Sequence, residues 1–415
     1  MPATRPYAPL TIAASGLVAL ALAMGIGRFA FTPLLPMMLA EGSVDLTGAS
    51  LLASANYAGY LAGALACTFQ PWLWRRAGWS GGVDGPRLVR AGLVATALLT
   101  LGMAAPLPSA WGLLRFAAGV ASAVVFVYTS GHCLEQLARR GVPAMGGLIY
   151  VGPGLGILVS GLAATALVQT HAPAAAGWIA FGLLVALLTA LVWPVFDHRR
   201  DPPRPAATAG KAQAPPASAG AGAFEMGLLM LAYGLAGIGY IITATFLPVI
   251  ARQALPGSHW LDLFWPLFGV GVMLGALGAS RLNPHADLRL RLAACYGLQA
   301  AGVAASLLSP TLAGFAIGSL VLGLPFTAIT FFAMQEVRRV RPLDATTYMG
   351  LLTAAYGLGQ IVGPPLAAWQ VARSASAARG FDVSLWIATG LLLLGAALYL
   401  LIARRHPARA VAAGA

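Results

Sequence analysis

The chain of 415 residues alternates long apolar runs with short polar stretches. A helix needs about 20 residues to cross a hydrocarbon layer of about 30 Å, and a helix satisfies its own backbone polar groups in lipid. Six runs in each half reach this length, and they show no strand-like alternation. They cover residues 10–39, 46–69, 88–105, 109–134, 143–168, 174–196, 224–250, 260–282, 290–308, 311–335, 346–371 and 381–403. We therefore predict an all-α integral membrane protein with twelve transmembrane helices.

One phrase at the start of the first half returns at the start of the second half. Residues 25–36 read GIGRFAFTPLLP, and residues 237–248, which lie 212 positions later, read GIGYIITATFLP. Two glycines one helical turn apart repeat at the same offset: Gly59 and Gly63, then Gly271 and Gly275. The repeat indicates two pseudo-symmetric six-helix bundles, an architecture typical of carriers. The simplest role for the four glycines is close helix contact.

The same pattern predicts four regions along the chain. Residues 1–196 form an N-terminal six-helix bundle and residues 224–403 form a C-terminal six-helix bundle. Between them, residues 197–223 are rich in proline, alanine and glycine, a composition typical of an extended or disordered linker. Residues 404–415 form a tail.

Composition and charge place the chain in a membrane. Apolar residues make up 59% of the chain and charged residues only 9%, and the mean hydropathy is +0.80, which leaves too little charge to cover a water-facing surface. The net charge of +13 does not indicate nucleic-acid binding, because 20 of the 25 arginine and lysine residues fall in alternate loops between the apolar runs. By the positive-inside rule this places both termini, the linker and the tail in the cytoplasm. We expect a bacterial inner membrane protein that contacts the lipid bilayer and is a monomer.

The sequence offers no catalytic or metal-binding pattern. The three cysteines, Cys67, Cys133 and Cys295, have no disulfide or metal-ligand spacing. The spans contain no nucleophile motif, no zinc-protease motif and no pair of acidic residues. We therefore predict that the protein is not an enzyme and that it needs no metal or cofactor.

Several motifs resemble a known family. Residues 25–36 resemble the first-helix signature of the YbfB/YjiJ-like branch of the major facilitator superfamily (MFS), and the six-plus-six organisation resembles that superfamily over nearly the whole chain. Arg115 with Gly119 is similar to its Arg-x-x-x-Gly motif, and residues 152–156, GPGLG, are similar to a Gly-Pro motif common in antiporters. The resemblance implies the MFS fold and transport by alternating access, but it implies no substrate.

The loop between the second and third predicted helices departs from that family. An acidic residue is expected in its core, but residues 74–78 read WRRAG, with Trp74 at the acidic position. The cytoplasmic latch that the family makes with this acid is therefore in doubt for this chain.

Two arginines are the sharpest candidates for substrate binding. Arg28 and Arg115 lie inside predicted spans, where a charge costs about 2.5–3.5 kcal/mol and is rarely kept without a role. Counted at about 1.5 Å per residue, both fall in the outer half of the membrane, where one anion could contact both. The alternatives are that Arg28 binds carbonyl groups freed near Pro33 and Pro36, and that Arg115 has a structural or coupling role.

Other polar side chains in the spans extend this candidate set. Tyr240 occupies the repeat position of Arg28, and a phenol facing a guanidinium would suit a carboxylate with an apolar body. Each tyrosine could equally be a packing residue or an interfacial anchor. The predicted substrate-binding residues are Arg28, Asn56, Tyr57, Arg115, Tyr150, Tyr240, Tyr356 and Gln360.

Three titratable residues near the cytoplasmic ends are candidates for gating or coupling. Glu135 and Glu336 lie at matching ends of the fourth and tenth helices, and each is followed by an Arg pair. We expect them to form salt bridges with those arginines in a cytoplasmic gate. His132 lies one turn before Glu135 and could titrate near neutral pH, although a lone histidine there is more often a surface residue. Coupling to protons and exchange for a second anion are both open.

These features favour a secondary carrier that moves a small-molecule substrate by alternating access, with an anionic or zwitterionic metabolite favoured by Arg28 and Arg115. The alternative is a proton-coupled efflux carrier for hydrophobic or drug-like compounds, which the Gly-Pro motif and the aromatic residues favour.

Overall fold

Twelve long helical segments account for most of the chain that the computed structural model describes, namely residues 7–78, 83–197, 223–258, 260–279, 281–282, 287–342 and 344–405. We number these segments α1 to α12 in chain order. They are Pro9–Ala40, Leu46–Arg76, Gly85–Gly102, Pro108–Arg139, Pro143–Gln169, Ala174–Val195, Phe224–Ala254, Leu261–Ala279, Leu288–Leu308, Leu312–Val340, Ala345–Arg373 and Ala377–Arg405. These residues contain no strand.

The predicted membrane-spanning class is confirmed, while the count of twelve spans stays a prediction. Within the described ranges, nine helices are long and apolar enough to cross a membrane. The remaining three, α2, α3 and α11, match predicted segments but are more polar. Large apolar side chains such as Leu113, Leu187 and Leu308 are exposed on the outer surface of the bundle, as expected for a surface that faces lipid.

The most deeply buried helices are α1 and α7, the first of each half. Residues 21–38 of α1 and residues 239–251 of α7 are all buried. A helix that is buried on every side lies at the centre of a helical assembly. The repeated phrase noted in the sequence therefore forms the middle of the protein.

Helix α1 is interrupted at the repeated phrase. It consists of an α-helix at Pro9–Leu20, a π-helix at Ala21–Ile26, a turn at residues 27–30 and an α-helix at Phe31–Ala40. Pro33 has no N–H with which to bond the carbonyl of Phe29, and the Thr32 amide donates to that carbonyl instead, at 3.1 Å. The carbonyl of Arg28 is thus free to accept a bond from outside the helix. Interruptions of this kind are frequent at functional sites.

The four repeated glycines are confirmed as close helix contacts. A Cβ atom on Gly59 would lie 1.9 Å from the carbonyl oxygen of Phe116, and one on Gly275 would lie 1.7 Å from that of Leu324. The first contact joins α2 to α4 and the second joins α8 to α10, which are equivalent pairs in the two halves. The corresponding contacts of Gly63 and Gly271 are also shorter than a Cβ allows.

The two halves meet at equivalent positions of the repeat. The Thr32 hydroxyl of α1 donates to the carbonyl of Ala244 in α7 at 3.0 Å, and these residues are 212 positions apart. Neighbouring bonds also cross between the halves: Ser54 Oγ donates to the Ile361 carbonyl at 2.7 Å. The helix pairs α2 with α11 and α5 with α8 pack along the same interface.

Packing between α1 and α7 is concentrated at one end. We call the end with Pro9 and Arg405 the terminal end, and the end with Ala40 and Ala254 the distal end. The contacts that α1 makes with α7 come from its last segment, Phe31–Ala40. In the described part of the chain, α4 and α10 do not form a closely packed pair. The packing between these two central helices is therefore concentrated at the distal end.

The predicted domain limits stay predictions. Residues 198–222 of the predicted linker and residues 406–415 of the predicted tail lie outside the described residues, as do residues 1–6.

Candidate functional site

Arg28 lies at the interruption of α1 and joins the two halves. Its side chain is buried, and Nη2 donates to Oε1 of Gln360 in α11 at 2.5 Å. Nε2 of Gln360 in turn donates to the hydroxyl of Tyr240 in α7. Arg28 and its repeat counterpart Tyr240 are therefore linked through one amide, and the predicted pairing of a guanidinium and a phenol is present in this bridged form.

Aromatic rings surround this link. The Arg28 guanidinium carbon lies 4.1 Å from the ring centroid of Tyr60, 5.3 Å from that of Tyr57 and 5.2 Å from that of Phe29. The rings of Tyr240 and Tyr356 are stacked, with centroids 5.7 Å apart. We use the name Arg28 cluster for six of the residues that make these contacts: Arg28, Tyr57, Tyr60, Tyr240, Tyr356 and Gln360.

No acidic side chain in the described part of the chain balances the charge of Arg28. Among the described residues, the ion pairs do not include Arg28, and its Nε has no hydrogen-bond partner. A buried charge normally requires a paired charge and full hydrogen bonding. Cation–π contacts with the surrounding rings compensate for only part of this cost. The cluster is thus a buried cationic site in which the Nε–H group of Arg28 is unpaired.

Arg115 supports the backbone beneath Arg28. Its Nη1 and Nη2 donate to the carbonyls of Gly27 and Arg28, at 3.4 and 3.1 Å. Asn56 Nδ2 donates to the carbonyl of Arg115 at 2.9 Å, and a Cβ on Gly119 would lie 2.0 Å from the Asn56 carbonyl. Arg115 and Asn56 therefore hold the interrupted segment of α1 against α2 and α4. The carbonyls freed near Pro33 are bonded by Arg115, not by Arg28.

Tyr57 joins the cluster to α7, whereas Tyr150 lies elsewhere. The Tyr57 hydroxyl is 3.0 Å from the hydroxyl of Thr245. The Tyr150 ring packs against Phe126 of α4, with centroids 6.2 Å apart. No contact places Tyr150 with Arg28 among the described residues, so its predicted role in substrate binding stays a prediction.

The three predicted gating residues differ in their surroundings. Glu135 is 49% exposed and forms an ion pair with Arg139. The His132 ring packs against Phe196 with centroids 5.8 Å apart. Glu336 is 1% exposed and binds Arg339 through two hydrogen bonds, of 2.8 and 2.6 Å. The predicted bridges from Glu135 to Arg139 and from Glu336 to Arg339 are both present.

Glu336 belongs to a buried charge network that the sequence did not indicate. Nε of Arg289, whose side chain is fully buried, lies 3.7 Å from Oε1 of Glu336. Arg289 also binds both carboxylate oxygens of Asp287, at 2.9 and 2.8 Å. These bonds hold the pKa of Asp287 below its usual value. The network ties α9 to α10 at the terminal end.

Long apolar helices packed around an interface between two sequence repeats are an architecture typical of membrane carriers. The model of the family described as "Uncharacterised MFS-type transporter YbfB" matches residues 20–400, and the chain belongs to this family. The suspected YbfB-like branch is therefore confirmed. No individually curated protein matches the chain.

Solved structures of transporters share this fold. The nucleoside transporter NupG matches with a TM-score of 0.64 and 16% identity, over 95% of this chain and 98% of NupG. A bacterial homologue of the human lysosomal transporter Spinster, in an inward-facing and unoccupied conformation, matches with a TM-score of 0.68 and 13% identity, over 95% of this chain and 97% of the homologue. Similarity at these identities shows the fold alone.

Proposed function

We propose that this protein is a secondary active transporter for a small organic anion or zwitterion, and that Arg28 binds the anionic group. The observation that carries the proposal is the buried Arg28 guanidinium at the interface of the two halves. It has no acidic partner among the described residues, and its Nε has no hydrogen-bond partner. A substrate anion would supply both.

The available atoms of Arg28 favour a carboxylate. A carboxylate binds a guanidinium with two parallel N–H···O bonds. Nη2 of Arg28 is occupied by the amide oxygen of Gln360, and the adjacent Nε is vacant. The amide oxygen of Gln360 accepts a bond from Nη2 and leaves the Nε–H group on the same edge of the guanidinium without a partner. A carboxylate that replaces Gln360 there would complete both bonds and add a full negative charge.

The packing of α1 and α7 supports alternating access. The Thr32 to Ala244 bond lies on the distal side of Arg28, while α1 and α7 do not pack at the terminal end. Separating the last segment of α1 from α7 would expose the Arg28 cluster to the distal side of the membrane. The bonds from Arg28 to Gln360 and from Tyr57 to Thr245 also cross the halves, so substrate binding there would be sensitive to their relative position.

We further propose that the carrier is a monomer in a bacterial inner membrane. Both termini would lie in the cytoplasm, as the distribution of arginines predicts. Coupling to a proton and exchange for a second anion both fit the Arg28 cluster. The alternative, a proton-coupled efflux carrier for hydrophobic compounds, draws its support from the rings of Tyr60 and Tyr356 next to Arg28.

Ligand-induced stabilisation tests the proposal. The purified carrier is heated with small organic anions, amino acids and lipophilic cations, and its unfolding is followed by intrinsic fluorescence. An anionic ligand at about 100 times its dissociation constant should stabilise the protein by about 2.7 kcal/mol. We expect Arg28→Gln to abolish this stabilisation, because the substitution removes the charge that is proposed to bind the anion.

Arg373→Gln is the matched control. Arg373 is exposed at the end of α11, where its guanidinium lies 4.8 Å from the Trp369 ring centroid. The substitution removes the same charge far from the cluster, so anions should stabilise this variant as they do the native protein. Stabilisation by cations alone, or by anions equally in Arg28→Gln, would contradict the anion site and favour the efflux alternative.

A further inference from the structure

The accessible part of the Arg28 cluster is aromatic. Arg28, Tyr57, Tyr240 and Gln360 are buried, whereas Tyr60 and Tyr356 are half-buried. Phe326 of α10 is also half-buried, and its ring contacts that of Tyr240 edge-on at 5.3 Å. The accessible side chains next to the buried part of the cluster therefore include three rings, which come from α2, α10 and α11.

These rings are held in place by their neighbours. Tyr356 is stacked between Tyr233 and Tyr240, with centroid distances of 4.7 and 5.7 Å and interplanar angles of 24° and 16°. The Tyr233 hydroxyl donates to Thr330 Oγ1 at 3.0 Å, which fixes the outer ring of the stack. Because the stack is already ordered, the accessible edge of Tyr356 would contact a ligand at little further cost in conformational entropy.

Tyr60 and the edge of Arg28 together define the shape of the ligand. The Tyr60 ring covers the guanidinium at 4.1 Å, while Nε and Nη2 lie on the guanidinium edge. A carboxylate bound to that edge lies in the guanidinium plane. If the rest of the ligand continues in that plane, it remains next to the aromatic side chains around Arg28. A flat ligand fits this arrangement better than a puckered or branched one.

From this arrangement we infer that the Arg28 cluster binds a planar aromatic carboxylate, an inference that rests on the proposed anion site. The carboxylate occupies the Nε and Nη2 edge of Arg28 and displaces the amide oxygen of Gln360. The aromatic body packs against Tyr60, Tyr356 and Phe326. An aromatic cation is disfavoured by the charge of Arg28, and a neutral aromatic compound lacks the ion pair.

A pair of ligands that differ only in the ring provides the test. Benzoate and cyclohexanecarboxylate have the same carboxylate and similar size, but only benzoate is planar and aromatic. Their dissociation constants for the full-length carrier are measured by thermal shift or calorimetry, with acetate as a reference that has no ring. Because an aromatic contact contributes about 0.5–1.5 kcal/mol beyond burial of area, we expect benzoate to bind about 2- to 10-fold more tightly than cyclohexanecarboxylate.

Two variants of Tyr60 test whether the preference for benzoate over cyclohexanecarboxylate arises at this site. Tyr60→Phe keeps the ring and should keep the ratio of the two dissociation constants. Tyr60→Leu removes the ring and should bring the ratio close to one, while acetate binding changes less. The comparison of ligands in the native protein stands even if Tyr60→Leu fails to fold.

The outcomes separate this inference from the proposed function. Equal binding of benzoate and cyclohexanecarboxylate to the native carrier would overturn the inference and leave the anion site intact. Failure of every carboxylate to bind would overturn both. Tighter binding of benzyltrimethylammonium than of benzoate would also overturn both and favour the efflux carrier.

Discussion

Glu336→Gln is expected to lower the free energy of unfolding by about 3 kcal/mol, since removing one partner of a buried ion pair leaves the other charge uncompensated. The carboxylate of Glu336 is 1% exposed and binds both Arg289 and Arg339. Arg289 is fully buried and would keep its ion pair with Asp287 while losing that with Glu336. Thermal or chemical unfolding of the purified protein in detergent measures the change.

The chain contains a matched control for this substitution. Glu135 lies at the corresponding end of α4 and is also followed by an arginine pair, but it is 49% exposed. Exposed ion pairs contribute roughly 0.2–1 kcal/mol, so Glu135→Gln should change stability little. Similar stability of the two variants would contradict the assignment of Glu336 to a buried network.

Gly275→Ala should have an effect of comparable size. The added Cβ would lie 1.7 Å from the carbonyl oxygen of Leu324, and this atom belongs to the backbone, so the side chains cannot relieve the overlap. Helices α8 and α10 would have to separate. Overpacking of this kind costs about 1–3 kcal/mol, and we expect the upper part of that range together with a lower yield of folded protein.

Gly278→Ala on the same helix is the control. A Cβ at Gly278 meets no atom within 4 Å. Because alanine favours a helix over glycine by about 0.5–1 kcal/mol, this variant should be as stable as the native protein or more so. If Gly275→Ala melts at the same temperature as Gly278→Ala, the proposed close approach of α8 and α10 is wrong.

The architecture could be predicted because it depends on local apolar length and on internal repetition. The predicted segments match the described helices, although α2 continues from the predicted end at residue 69 to Arg76. Thr32 and Ala244, which are separated by the repeat offset of 212 residues, are joined by a direct hydrogen bond. A repeat in sequence implies equivalent positions in space, and positions near the symmetry axis then meet.

The partners of individual side chains could not be predicted in the same way. The bond from Arg28 to Gln360 joins residues 332 positions apart, and nothing in the apolar pattern specifies that α11 approaches α1 at this height. Tyr150 lies in a predicted span, but its direction depends on the rotation of α5 about its axis. Apolar length does not determine that rotation.

Similar sequence motifs can also occur in side chains that differ in burial. Glu135 and Glu336 are both followed by an arginine pair, yet one is half exposed and the other is buried. The difference arises because Arg289 of α9 packs against Glu336. Similarly, Arg28 and Arg115 are both arginines in spans, but Arg115 bonds the carbonyls that the interruption of α1 leaves free. These roles depend on tertiary contacts.

Uptake into proteoliposomes tests the central claim most directly. A labelled carboxylate that stabilises the native carrier is offered to vesicles containing the native protein, Arg28→Gln or Arg373→Gln, with the amount of folded protein in each preparation measured. The account predicts saturable uptake by the native protein and by Arg373→Gln, and none above empty vesicles for Arg28→Gln. Saturable uptake by a folded Arg28→Gln carrier at the native rate and affinity would contradict a substrate site at Arg28.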